Sequence, residues 1–155
     1  MRITLLAVSK LGRAPEADLA RDHAERATAA GRSLGLGPVD IVEVESRKPG
    51  KAAEGEALLA QIRPADHVVA CDEHGKALTS RAFADRIGRL RDDGTRRLVL
   101  IIGGADGLAP EVLSRAKDVL AFGPQTWPHA LVRAMLAEQV YRAVTILAGS
   151  PYHRD

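Results

Sequence analysis

A single cysteine, Cys71, in 155 residues excludes an internal disulfide and fits a reducing compartment. No stretch approaches the roughly 20 apolar residues of a membrane span. The apolar run within Met1–Gly12 is too short for a secretory leader and has no small-residue cleavage site after it. A cytoplasmic protein with no membrane partner is therefore expected. Neither a repeat, a low-complexity tract nor a linker interrupts the chain, so one domain over residues 1–155 is expected. The five histidines, at positions 23, 67, 74, 129 and 153, show no paired spacing, and one cysteine cannot build a zinc site, so no metal is expected. Without a Gly-x-Ser-x-Gly turn, serine-nucleophile chemistry has no support. Net charge is only +2, which excludes a polycation that binds nucleic acid indiscriminately. Aromatic residues are few. Only Phe83 precedes position 122, so the core upstream must be aliphatic and alanine-rich, while Phe122, Trp127, Tyr141 and Tyr152 mark the C-terminal fifth as specialised.

What is present is alternation. The runs Arg2–Ser9, Val39–Glu45, His67–Cys71, Arg97–Ile102 and Asp118–Phe122 read as strands. Between them, Pro15–Ala30, Ala52–Ile62, a segment capped by Thr79 or Ser80 and reaching Asp92, a short piece from Pro110 and a long Pro128–Leu147 read as helices. This order predicts an α/β fold with a mostly parallel sheet and helices on both faces. Val68–Cys71 and Leu98–Ile102 lack polar alternation, as strands buried on both faces do. The basic residues are 17 arginines against 5 lysines. A guanidinium fork suits phosphate and stacks on bases, although GC-rich coding also raises arginine and alanine together.

Ligands of open α/β sheets bind beyond the carboxyl ends of the strands, and three such ends carry unusual residues. The first is Ala70–Cys71–Asp72, leading into "EHGK". The second is "IIGGADGL", Ile101–Leu108, whose Gly-Gly-x-x-Gly is neither the dinucleotide fingerprint nor a phosphate-binding Gly-x-x-x-x-Gly-Lys-Ser/Thr loop. It serves either a tight turn or a close approach of backbone to ligand. The third is "AFGPQTWPH", Ala121–His129, where Gly123 and Pro124 enforce an irregular loop whose backbone groups need partners, an adenine or water among the choices. In the last helix His129 and Arg133 are four apart, as are Glu138 and Arg142. The latter pair, on spacing alone, is a solvated ion pair.

Three segments, "IIGGADGL", "TWPHALVRAMLAEQVYRA" and the terminal "SPYHRD", resemble the RlmH-type ribosomal-RNA large-subunit methyltransferases of the knotted SPOUT class. "ITLLAVSKL", "CDEHGKALTSRAFA" and the chain length extend the likeness over the whole sequence. The resemblance implies methyl transfer from S-adenosyl-L-methionine to N3 of a pseudouridine in 23S ribosomal RNA. It also implies a C-terminal trefoil knot, a homodimer, and an active site near the subunit interface. Carried over by position, the cofactor would be met by Cys71, Gly103, Gly104, Phe122, Gly123, Pro124, Gln125, Thr126 and Trp127. The chain departs from its relatives at Cys71, where a leucine is usual, and at Phe122–Gln125, where a serine- and leucine-containing loop is usual. Backbone contacts to an adenine would survive both changes.

The chemistry gives the tail a role. An imide N3 is a poor nucleophile until its proton leaves, so a general base or an anion-stabilising donor would help. Imidazoles titrate near neutrality, which points to His129 and His153. Arg142 and Arg154 would hold phosphate or charge on the base, and Tyr152 would stack on the target ring. The weak net charge argues for an assembled ribosome rather than free RNA as partner. Two other readings stand beside this one: a methyltransferase of the same class acting on another rRNA or on tRNA, and a non-catalytic nucleotide-binding module of the ribosome.

Overall fold

Strand β1 (Arg2–Val8) is buried along its length after Arg2, and its side chains alternate between two cores. In the computed structural model, which describes residues 1–155, it lies inside a five-stranded sheet with β2 (Val39–Val44), β3 (His67–Ala77), β4 (Arg97–Ile102) and β5 (Asp118–Ala121). The order is β2-β1-β4-β3-β5, and every pairing is parallel. Ile3, Leu5 and Ala7 of β1 face one core with Leu98, Leu100 and Ile102 of β4. Leu6 and Val8 face the other with Val99 and Ile101. Burial on both faces explains why these strands read as continuous apolar runs.

Helices α1 (Pro15–Gly31), α3 (Ser80–Asp92) and α5 (His129–Leu147) cover the first face; α2 (Lys51–Leu59) and α4 (Pro110–Arg115) cover the second. Helix α1 buries Ala20, Ala24, Ala27 and Gly31, one small residue per turn. Helix α5 meets it with Ala137, Val140, Ala143 and Val144. Small side chains on both helices allow close approach, so this core is built almost without aromatics. Helix α3 starts where the sequence places it, with the Thr79 hydroxyl accepting from the Ala82 N–H at 3.1 Å. No helix is long and apolar enough to cross a membrane.

Two boundaries differ from the sequence reading by more than one residue. Helix α2 ends at Leu59, not Ile62, because the next N–H groups, of Gln61 and Ile62, bond three residues back to Leu58 and Leu59 and tighten into a turn before Pro64. Strand β3 runs on to Ala77 instead of stopping at Cys71. Cys71 and Lys76 both pair with Leu120 of β5, so Asp72–Gly75 form a bulge between them. Gly75 makes this possible, since a Cβ there would lie 2.6 Å from the Val119 carbonyl. From β5 at the sheet edge, α5 doubles back to pack on α1 and α3. That path accords with the knotted C-terminus the resemblance implies.

Candidate active site

Parallel strands send all their carboxyl ends to one edge of the sheet. There the β3 bulge, the turn after β4 and the Phe122–Pro128 segment after β5 enclose a cavity of about 490 Å³. Its wall brings together eight of the residues picked from sequence: Cys71, Gly103, Gly104, Phe122, Gln125, Thr126, Trp127 and His129. Gly123 and Pro124 complete the loop without forming the wall; Gly123 takes φ +91°, a left-handed conformation that admits glycine without strain. The Thr126 hydroxyl donates to Glu73 Oε2 at 2.6 Å, tying this loop to the β3 bulge. Trp127 donates from its indole N–H to the Phe122 carbonyl at 3.1 Å and leaves part of its ring exposed. Cys71 keeps a little surface in the wall, yet its thiol is enclosed enough that burial, and next Asp72, push its pKa up to about 12. It is a packing group and no nucleophile at neutral pH.

The glycine turn has a reason other than ligand approach. A Cβ on Gly103 would lie 2.9 Å from the backbone C and O of Gly107, and one on Gly104 would lie 3.0 Å from Glu54 Oε2. Gly104 and Gly107 form an antiparallel bridge, and Gly107 has φ +79°. The missing side chains let the turn close on itself, which shapes the cavity wall.

His129 opens α5 at this cavity, and Arg133, one turn on, locks the helix in place. Its side chain is almost wholly buried and donates to Glu43 Oε2 at 2.6 Å and to the Val8 and Ser9 carbonyls, each at 2.9 Å. The four-residue spacing from His129 carries no sign of this burial; the structure turns Arg133 inward to hold α5 against the ends of β1 and β2.

The other candidate catalytic residues gather farther along α5, from its midpoint at Glu138 to Arg142. Arg142 lies thirteen residues beyond His129, roughly 20 Å along the helix axis. Glu138 Oε1 accepts from Arg142 Nε at 3.0 Å and Nη2 at 2.5 Å, and from the Tyr152 hydroxyl at 3.0 Å. His153 Nδ1 is 3.2 Å from Arg142 Nη1. The Tyr152 ring stands edge-on to Tyr141 at 4.7 Å between centroids, with the Arg142 guanidinium 4.9 Å from its centre. Burial, and then the bond to Glu138, raise the Tyr152 pKa; the same carboxylate raises that of Arg142. Asp155 is held by Arg81 of α3, whose hydrogen bonds lower the carboxyl pKa. Arg154 is exposed and unpaired with any carboxylate.

Thus Arg142, Tyr152, His153 and Arg154 lie together, and the nine cofactor positions with His129 lie together, but one chain does not join the two groups. Sequence reasoning missed Glu138 as the centre of the tail cluster, although its spacing from Arg142 was visible. It also missed Glu73, Lys51 and Asp106 in the cavity wall and Arg26 and Arg81 beside the tail. These last come from elements far away in sequence and carry no local signal.

A parallel α/β sheet with a concave site beyond β3, β4 and β5 is the architecture of domains that take a small organic ligand at their strand ends. The chain belongs to the SPOUT methyltransferase family: the family model described as "Predicted SPOUT methyltransferase" matches residues 1–153. It is 72% identical over 155 residues to the ribosomal RNA large subunit methyltransferase H of Caulobacter sp. (strain K31), covering 100% of both chains. It is 69% identical over 155 residues to the protein of the same name from Phenylobacterium zucineum (strain HLK1), again covering 100% of both. Among solved structures, a probable methylase family protein from Haemophilus influenzae Rd KW20 has the same fold, with TM-score 0.52 and 12% identity over 95% of this chain and 66% of that one.

Proposed function

We propose that this protein transfers a methyl group from S-adenosyl-L-methionine to N3 of a pseudouridine in 23S ribosomal RNA, on the assembled ribosome and in the cytoplasm. The observation that carries the reading is the strand-end cavity of about 490 Å³, a volume suited to a cofactor-sized ligand. Its lining fits that ligand chemically. Ile102, Leu120 and Val132 offer apolar wall, and the turns after β4 and β5 offer backbone donors and acceptors. Asp72, Glu73 and Asp106 against a single Lys51 favour a ligand with cationic centres and one carboxylate.

The bound cofactor supplies an already activated sulfonium methyl, so the chain's task is alignment and proton handling. The Gly103–Gly107 turn and the Phe122–Trp127 loop hold the ligand by main chain. The Thr126–Glu73 bond keeps the loop over the cavity and limits water. His129, at the wall, and His153, in the tail, are the imidazoles able to take the imide proton. Arg142 and Arg154 present positive charge to the deprotonated ring or to a neighbouring phosphate.

Because the tail packs on Glu138–Arg142 of α5, away from the cavity at the start of that helix, the reading assigns a homodimer in which the tail of one protomer meets the cavity of the other. Removal of Tyr152–Asp155 tests it. The truncated chain is expected to fold and to bind S-adenosyl-L-methionine in calorimetry, yet to transfer no radiolabelled methyl to ribosomal particles. Full transfer by the truncated chain would refute the role of the tail; no transfer by the intact chain would refute the activity.

A further inference from the structure

The carboxyl edge of the sheet is divided by charge. Above β3, β4 and β5 stand the carboxylates of Asp72, Glu73 and Asp106 around the cavity. Above β1 and β2, the loops Ser9–Ala14 and Glu45–Gly50 and the first residue of α2 carry Lys10, Arg13, Arg47, Lys48 and Lys51. Only Lys10 meets a carboxylate, Glu45 at 3.5 Å; the other four are exposed and form no ion pair. Elsewhere the basic residues are either paired, as Arg97 with Asp66, Arg133 with Glu43, Arg142 with Glu138 and Arg81 with Asp155, or unpaired at scattered positions such as Arg32, Arg63, Arg89, Arg96 and Arg154; in this loop Arg47, Lys48 and Lys51 stand unpaired close together. Uncompensated like charges on one short loop repel one another and contribute nothing to folding. Lys51 ties this loop to the site, since it also forms part of the cavity wall.

We infer that Arg47 and Lys48, with Arg13 on the loop after the neighbouring strand β1, form a phosphate-binding rim that grips the RNA backbone flanking the target nucleotide and sets it over the cavity, Lys51 marking where the rim meets the cavity wall. This rests on the RNA-methyltransferase reading above. The overall charge of +2 is too small to steer a polyanion from a distance. Orientation must come from a local cationic strip, and Lys51 brings this strip to the cavity wall. Phosphate contacts position a nucleic acid without reading its sequence, which leaves choice of nucleotide to the cavity and tail.

The test is equilibrium binding of the full-length protein to purified large ribosomal subunits across a potassium chloride series. The double variant R47Q/K48Q touches no cavity residue. R89Q/R96Q removes the same charge from two exposed, unpaired arginines on α3 and before β4. The rim variant is expected to bind at least tenfold more weakly at low salt. Its log–log salt slope should be shallower by about two, one for each phosphate no longer neutralised. S-adenosyl-L-methionine affinity by calorimetry should be unchanged. The control double variant is expected to keep the wild-type slope. Equal losses in both double variants, an unchanged slope in the rim variant, or no binding by the wild type would overturn the inference. Wild-type binding without methyl transfer would instead refute the methyltransferase reading while leaving the rim measurement readable.

Discussion

Replacing Glu138 by alanine should loosen the tail without disturbing the cavity. Glu138 Oε1 gathers two bonds from Arg142 and one from Tyr152, and Oε2 accepts from Gln139 Nε2 at 3.0 Å. The ion pair is partly shielded, with side-chain exposures of 25% for Arg142 and 22% for Glu138. It falls between an exposed pair, worth ~0.5 kcal/mol, and a buried one whose rupture costs ~3–5 kcal/mol. Part of the loss is the Tyr152 hydroxyl left without its charged acceptor, a bond of about 1.5 kcal/mol. Together these give about 2 kcal/mol, which lowers Tm by about 4–8 °C in a chain of this size. It also shifts the balance of docked to undocked tail about 30-fold. Glu138→Gln keeps an acceptor for Tyr152 but no charge for Arg142, and about half the loss is expected. Differential scanning calorimetry reads the first quantity, and amide hydrogen exchange over residues 150–155 reads the second. Should the alanine variant melt within about 1 °C of the wild type and keep slow exchange in the tail, Glu138 does not hold the tail and the hub reasoning fails.

The glycine turn offers a sharper contrast. Gly103→Ala forces a Cβ to 2.9 Å from rigid main chain of Gly107, whereas Gly107→Ala meets open space and bears only the strain of φ +79°. Urea unfolding should therefore show Gly103→Ala losing about 2 kcal/mol or more and Gly107→Ala about 1 kcal/mol; the reverse order would mean that Gly103 is spared by ligand space. Tyr152 gives a pH test. Its folded-state pKa is raised above 10.0, so its contribution to stability is complete below that value and is lost as pH rises through the folded-state value. Ultraviolet titration of the phenols should show a component ionising above 10.0 that disappears in Tyr152→Phe, and persistence of that component in the variant would contradict the assignment.

Strand and helix order was legible because each strand is an apolar run bounded by turn residues. The cavity positions were legible because parallel strands gather their exits at one edge. The β3 bulge was not, since Asp72–Gly75 reads as an ordinary loop until β5 pairs on both sides of it. For Gly103 the sequence left a tight turn and a close approach to ligand both open, and the structure shows the turn, because its close neighbour Gly107 is set by how the chain folds back.

Local chemistry along the chain settled the element order, the two-faced sheet and the family, through periodicity and through motifs short enough to be read in line. Packing decided which charges are spent inside the molecule and which are left free. Arg133 and Arg97 are satisfied by Glu43 and Asp66, while Arg47 and Lys48 meet no carboxylate. Such pairing depends on distances between segments up to 90 residues apart, as for Arg133 and Glu43, and those distances exist only once the chain has folded.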